Sequence, residues 1–271
     1  NLSNLGFTEK KLSVFKKWIK QPYGMIIISG PTGSGKSTTL YAALKEIHSE
    51  GINITTVEDP VEYQLQGINQ VQMHDEIGLN FSGALRSILR QDPDVLLIGE
   101  IRDEETADIA DKFSLTGHLV FSTVHANDAP STIARLLDLG IPPFLLGSCL
   151  NLVMAQRLVR TIDKDSKEAY KPTNEELDLL SFPSSERNNA FYKGIPNQNN
   201  HNTGYKGRTA IHEILEVNTN MKQLIFEDAN QNQIKEAAKK SGMTTLREAG
   251  IEKILSGQTD INEVLRATVE D

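Results

Sequence analysis

Cysteine is nearly missing from this 271-residue chain, in which Cys149 stands alone. No disulfide can form within one copy, and no cysteine-based zinc site can be assembled from it. A reducing, cytoplasmic setting is the expectation that follows. Long apolar runs are missing as well, since none approaches the roughly 18 to 20 residues a membrane-spanning helix needs. Positive charge is in deficit: 28 Lys and Arg stand against 36 Asp and Glu, a net charge of −8. That balance argues against a surface that grips nucleic acid, because such binding neutralises phosphates with many cations. The opening residues Asn1-Leu2-Ser3-Asn4-Leu5 hold neither an initiator Met nor the basic-then-apolar order of a signal peptide, and they read as a fragment boundary. What is present is the composition of a globular protein, 38% hydrophobic and 24% charged, with length enough for a sizeable core.

Short apolar runs bounded by turn formers recur in the first half. Gly24-Met25-Ile26-Ile27-Ile28-Ser29 is the first, followed by runs at Ile52 to Val57, Asp94 to Ile98 and Leu119 to Val124. Too short for helices and rich in β-branched residues, they predict buried strands. Helical spacing fills the intervals at Thr38 to Ser49, Phe81 to Arg90 and Glu104 to Leu115, and Thr8 is placed to cap a short amphipathic helix carrying Leu12, Phe15 and Ile19. Strands alternating with helices predict an α/β fold with a mostly parallel sheet covered on both faces. Residues 163–205 are polar and end in Asn197-Gln198-Asn199-Asn200-His201-Asn202, which predicts a loop-rich, partly mobile insertion. From Ile211 onward helical signals return, with Gly242 and Gly257 as stops and cap patterns at Thr245-Leu246-Arg247-Glu248 and Asp260-Ile261-Asn262-Glu263. The expected division is a nucleotide-binding core at 1–160, the insertion at 161–208 and a helical subdomain at 209–271. Cys149 reads as a buried structural thiol and Trp18 as a packing residue.

The chemistry is announced by Gly30-Pro31-Thr32-Gly33-Ser34-Gly35-Lys36-Ser37, which follows a predicted strand and precedes a predicted helix. Glycines at 33 and 35 let successive backbone amides turn inward as a nest for phosphate oxygens. The helix start adds partial positive charge. Lys36 is placed for the β- and γ-phosphates, Ser37 for Mg²⁺, and Thr38 for the neighbourhood of the α-phosphate. ATP and Mg²⁺ are the expected ligands.

Hydrolysis needs carboxylates in addition, one to organise the metal and a group to orient or deprotonate water. Two acidic clusters stand at strand ends, where ligands of open α/β sheets bind. One is Glu58-Asp59-Pro60-Val61-Glu62; the other is Glu100, followed by Arg102 and Asp103. Glu104 and Glu105 suit a solvated turn. His125 follows the strand Leu119 to Val124, where it can approach a γ-phosphate, whereas His118 begins that strand and fits a structural role equally well.

Gly30 to Thr39, Ile54 to Glu62, Leu85 to Asp103 and Thr116 to Ala129 together resemble the phosphate loop, Asp box, Walker B and His box of one family, the hexameric ATPases of bacterial type II secretion and type IV pilus assembly. The likeness continues through Gln156 to Arg160 and Thr203 to Arg208, over essentially the whole chain. It implies a RecA-like P-loop core and ATP hydrolysis between subunits of a homo-hexameric ring. It also implies a place at the cytoplasmic face of the inner membrane, peripheral to the bilayer, where motion passes to a platform protein and its docking partners without direct nucleic-acid contact. Within it Glu62 would be the general base, Glu100 would hold Mg²⁺ directly or through water, and His125 would contact or sense the γ-phosphate. Pilus-retraction ATPases resemble the chain less, lacking the insertion between Arg160 and Thr203, and DNA-transport motors share the core. Two departures from the pattern matter. The family's insertion carries a zinc site with two Cys pairs before a Thr-Gly-Tyr segment; here Asp163, Asp165, Asn197, His201 and Asn202 are a poor zinc set, and no structural zinc is expected. Second, relatives have preceding domains that supply arginines to a neighbour's nucleotide, so the chain alone is expected to bind nucleotide but turn over slowly. Loss of the zinc ligands gives some weight to a nucleotide-gated scaffold that binds without cycling.

Overall fold

A computed structural model of the chain describes residues 1–73 and 81–268. Contacts divide it into two compact units, residues 1–155 with 214–243, and residues 156–213 with 244–271.

The first unit opens with α1 (Glu9–Ile19), capped by the Thr8 side chain, and β1 (Gly24–Ser29). Then come α2 (Lys36–Ile47), β2 (Ile54–Glu58), β3 (Asn69–Gln72), α3 (Phe81–Leu89), β4 (Val95–Ile98), α4 (Glu104–Leu115) and β5 (Leu119–Val124). After α5 (Ala129–Asp138) and α6 (Pro143–Cys149), β6 (Leu150–Ile162) leaves the unit at Ala155. The sheet order is β3-β2-β4-β5-β1-β6-β9, where β9 is Tyr205–Glu216 and returns to the first unit at Ile214. Strands β1 to β5 pair in parallel, as β6 does with β1.

Every residue of β1, β2, β4 and β5 is buried. Alternation explains how such unbroken apolar runs are satisfied, because successive side chains leave opposite faces of the sheet. Met25 and Ile27 join one core with α3 to α6 and with α8 (Thr219–Phe226) and α9 (Gln231–Lys240), whereas Ile26 and Ile28 join the other, against α1 and α2.

In the second unit β7 (Lys167–Tyr170) pairs antiparallel with β8 (Phe191–Gly194), and α7 (Asn174–Leu179) lies between them in sequence. Leu177, Leu180, Phe182 and Phe191 form a core with Ile251 and Ile254 of α10 (Leu246–Leu255) and with Ile261 and Val264 of α11 (Ile261–Ala267). The polar stretch is therefore held by packing, through a few apolar residues spaced too far apart to show periodicity. Gly242 and Gly257 follow α9 and α10 with positive φ, and Thr245 and Asp260 accept the predicted cap hydrogen bonds.

The helical signal expected from Ile211 begins later, because β9 runs to Glu216. Two buried polar residues, His212 and Glu213, interrupt its apolar run. The Leu246 amide, at the start of α10, donates to Glu213 Oε2 at 2.9 Å.

Among the described residues no group of three or more His, Cys, Asp or Glu could hold a metal. Asp163 and Asn200 are both buried, and the Asn200 amide donates to Asp163 Oδ2 at 3.0 Å.

Candidate functional site

The phosphate loop follows β1 and runs into α2. Gly33 and Gly35 have φ of 83° and 86°, the left-handed region that glycine enters without strain. Gly35 caps α2 and no side chain occupies that cap, so the first-turn amides face the loop as an anion site. Lys36 Nζ donates to the Gly30 carbonyl. Ser37 and Thr38 are exposed, as are Pro31, Thr32 and Gly33, while Ser34 is buried.

A cleft beside this helix start is lined by Ser37 and Tyr41 from α2, Glu58 and Glu62 from the β2 end and beyond, and Glu100 and Arg102 after β4. Both acidic clusters thus meet the phosphate loop at the carboxyl ends of parallel strands. In the sheet order β5 separates β1 from β4, so Glu100 stands two strand spacings from the loop, about 10 Å. That interval suits phosphates, a metal and its water.

Each carboxylate has a different environment. Glu62 is exposed. Glu100 is partly buried and held between His125 Nε2 at 3.1 Å and Arg102 Nε at 4.0 Å. The strand end that carries it is fixed from β5, where Ser122 Oγ and Thr123 Oγ1 donate to the Ile98 and Gly99 carbonyls at 2.7 and 2.6 Å. Glu58 is 5% exposed and accepts from Thr56 Oγ1 at 2.7 Å and from the Tyr41 hydroxyl. Burial first, then the hydrogen bond to Glu58, pushes the Tyr41 phenol well above its ordinary pKa.

His118, at the other end of β5, packs against α4. Its ring stacks on Phe113 with centroids 4.0 Å apart, and Nδ1 lies 3.1 Å from the Phe113 carbonyl. Tyr41 is a polar lining residue that the sequence did not single out. Its position four residues after Ser37 was the available signal, since that spacing places both on one helix face.

A profile of the family described as "Type II/IV secretion system protein" matches residues 1–266. The type IV pilus assembly ATPase PilB of Myxococcus xanthus is 46% identical over 273 residues, covering 100% of this chain and 48% of that protein. Type II secretion system protein E of Xanthomonas campestris pv. campestris is 48% identical over 265 residues, covering 97% of this chain and 47% of that protein. The chain therefore spans about half the length of these curated relatives. Among solved structures, the pilus retraction motor PilT with bound ADP matches with a TM-score of 0.74 at 27% identity, over 100% of this chain and 67% of that one. The fold is that of a RecA-like P-loop ATPase, and the chain belongs to the type II/IV secretion system protein family.

Proposed function

We propose that this chain is the ATP-hydrolysing part of a motor that assembles a type IV pilus or a type II secretion pseudopilus, working as a homo-hexamer at the cytoplasmic face of the inner membrane against a platform protein and its docking partners. The observation that carries the reading is the single cleft in which Ser37, Glu62 and Glu100 meet at the strand ends. Loop amides and Lys36 hold the triphosphate, with Thr38 near the α-phosphate. Ser37 and Glu100 offer the hard oxygen donors that suit Mg²⁺. Held by these two residues, Mg²⁺ would supply neutralisation of charge on the phosphates. Glu62, exposed beside the cleft, takes the proton of the attacking water. His125, with Nε2 3.1 Å from Glu100 Oε1, links the metal-binding carboxylate to the γ-phosphate end and reports its presence.

Retraction is the second reading, favoured by the PilT likeness, but assembly relatives at 46% and 48% identity outweigh one at 27%. A nucleotide-gated scaffold is separated from both readings by turnover. Lys36→Ala is expected to abolish binding of a fluorescent ATP analogue. Glu62→Gln is expected to keep binding and lower steady-state phosphate release by about 10²–10⁴-fold, the worth of a general base. Full release from Glu62→Gln would remove the base assignment, and no release from the unmodified full-length protein would favour the scaffold.

A further inference from the structure

Tyr41 is 1% exposed, and all of its hydroxyl's hydrogen-bonding capacity is used. It donates to Glu58 Oε1, and accepts the Glu62 backbone N–H at 3.2 Å and Gln70 Nε2 at 3.4 Å. Gln70 in turn donates to the Tyr63 carbonyl at 3.0 Å and accepts the Leu65 amide at 2.6 Å. The Tyr41 and Tyr63 rings meet edge to face, 4.8 Å apart. These contacts reach Glu58 at the end of β2, Gln70 on β3 and the connection between them that carries Glu62. Tyr41 stands on α2, one turn after Ser37, so a single helix presents both the metal-side hydroxyl and the anchor of the opposing acidic segment.

We propose that Tyr41 is a positioning residue for hydrolysis, fixing the backbone of Glu62 relative to the phosphate loop. The inference rests on Glu62 as the base, and a double-mutant cycle on the full protein separates the two claims. Tyr41→Phe keeps the ring and removes the hydroxyl. It is expected to lower kcat about tenfold or more while ATP-analogue affinity changes less than about threefold, because misplacing a catalytic group affects the reacting geometry more than ground-state binding. Added to Glu62→Gln, it is expected to slow turnover no further. Gln70→Leu, which loosens the same segment and removes one donor to the Tyr41 hydroxyl while leaving the hydroxyl itself in place, should move kcat in the same direction by less, and it serves if Tyr41→Phe does not fold. Unchanged kcat in Tyr41→Phe, or a further full loss on top of Glu62→Gln, overturns the positioning role alone. Full turnover in Glu62→Gln overturns the base and the positioning role together.

A second and separate observation lies in the other unit. Asp163 and Ser166 are three residues apart, as are Asn197 and Asn200, the spacing of paired zinc-binding cysteines. These four polar residues interlock. Asn200 Nδ2 donates to Asp163 Oδ2 at 3.0 Å and Asn197 Nδ2 to Ser166 Oγ at 2.8 Å, while Asn200 Oδ1 accepts the Asn197 and Gly204 amides at 2.9 and 3.1 Å. The backbone on either side of the 197–200 turn is also closely packed, since a Cβ on Gly194 would stand 1.8 Å from the Gly204 carbonyl oxygen.

We infer that this hydrogen-bonded clasp does without metal what a zinc ion would do at these positions. The purified protein should carry no stoichiometric zinc, and a strong chelator should leave its melting midpoint unchanged. Asn200→Ala, which strands buried partners, should lower the midpoint by roughly 3–8 °C. Replacing all four residues, Asp163→Cys, Ser166→Cys, Asn197→Cys and Asn200→Cys, should create a site that binds about one zinc per chain and makes the midpoint sensitive to chelator. One tightly held zinc in the natural protein, or a chelator-induced drop in its midpoint, overturns the inference. Failure of the four cysteines to take up zinc does the same, because it means the positions do not converge.

Discussion

Gly33 shows what a single residue contributes to the phosphate loop. Its φ is 83°, and a Cβ built there meets nothing within 4 Å, so Gly33→Ala carries backbone strain of about 1–2 kcal/mol and no collision. The chain can shed that strain by turning its amide away from the nest. Gly33→Ala should therefore lose at most about 2 kcal/mol in urea unfolding but weaken ATP-analogue binding at least tenfold; unaltered affinity would mean the nest does not depend on that amide. Cys149 is the opposite case, a reactive residue type made inert. It is 1% exposed and donates from Sγ to Asp111 Oδ1 at 3.1 Å. Burial, and then the Asp111 carboxylate, pushes its thiol far above the ordinary range. Thiol reagents at pH 8 should label it only after denaturation, and prompt labelling of the native protein would contradict its burial. At this scale the sequence was informative wherever chemistry demands a residue type at fixed spacing, as in Gly30 to Ser37. It placed Glu58 in the first acidic cluster but gave no sign of Tyr41 or of their pairing, which joins residues 17 apart in the chain.

Elements were legible where burial matched periodicity. β1, β5 and α4 fall where the sequence predicts them, because fully covered parallel strands read as continuous apolar runs. β6 and β9 were obscured for a physical reason, since each buries polar residues such as Gln156, His212 and Glu213 that break the run. α11 makes a related compensation visible. Glu263 is buried on it, accepting from Arg160 N at 2.6 Å, from Arg160 Nη2 at 3.1 Å and from Arg266 Nε at 3.0 Å. Burial alone would raise its pKa, but the hydrogen bonds from Arg266 and Arg160 outweigh that and hold it at about 2. A carboxyl depressed below its unfolded value stabilises the fold above about pH 4.5 and loses that contribution as pH falls towards 2. Glu263→Gln should therefore cost roughly 2–4 kcal/mol at pH 7. In thermal melts the two proteins should converge as pH approaches 2; a difference that stayed constant across that window would show that the ion pairs are not its source.

At the scale of the whole molecule, charge discriminates among motors that share this core. A protein that moves DNA through direct contact must neutralise phosphates, and each neutralised phosphate steepens the fall of affinity with salt. This chain carries 28 cationic side chains against 36 acidic ones, and several of the cations are committed internally, Arg160 and Arg266 to Glu263 and Arg187 to Asp178. The long-range field is thus repulsive towards a polyanion, whereas the proposed ATP site relies on local amides and Lys36, which act within a Debye length of about 8–10 Å. Labelled single- and double-stranded DNA should accordingly show no saturable binding at 50 mM salt and micromolar protein, with or without ATP. Binding that tightened steeply as salt was lowered would instead reveal a basic surface created by assembly, and would move the reading from filament assembly towards DNA transport.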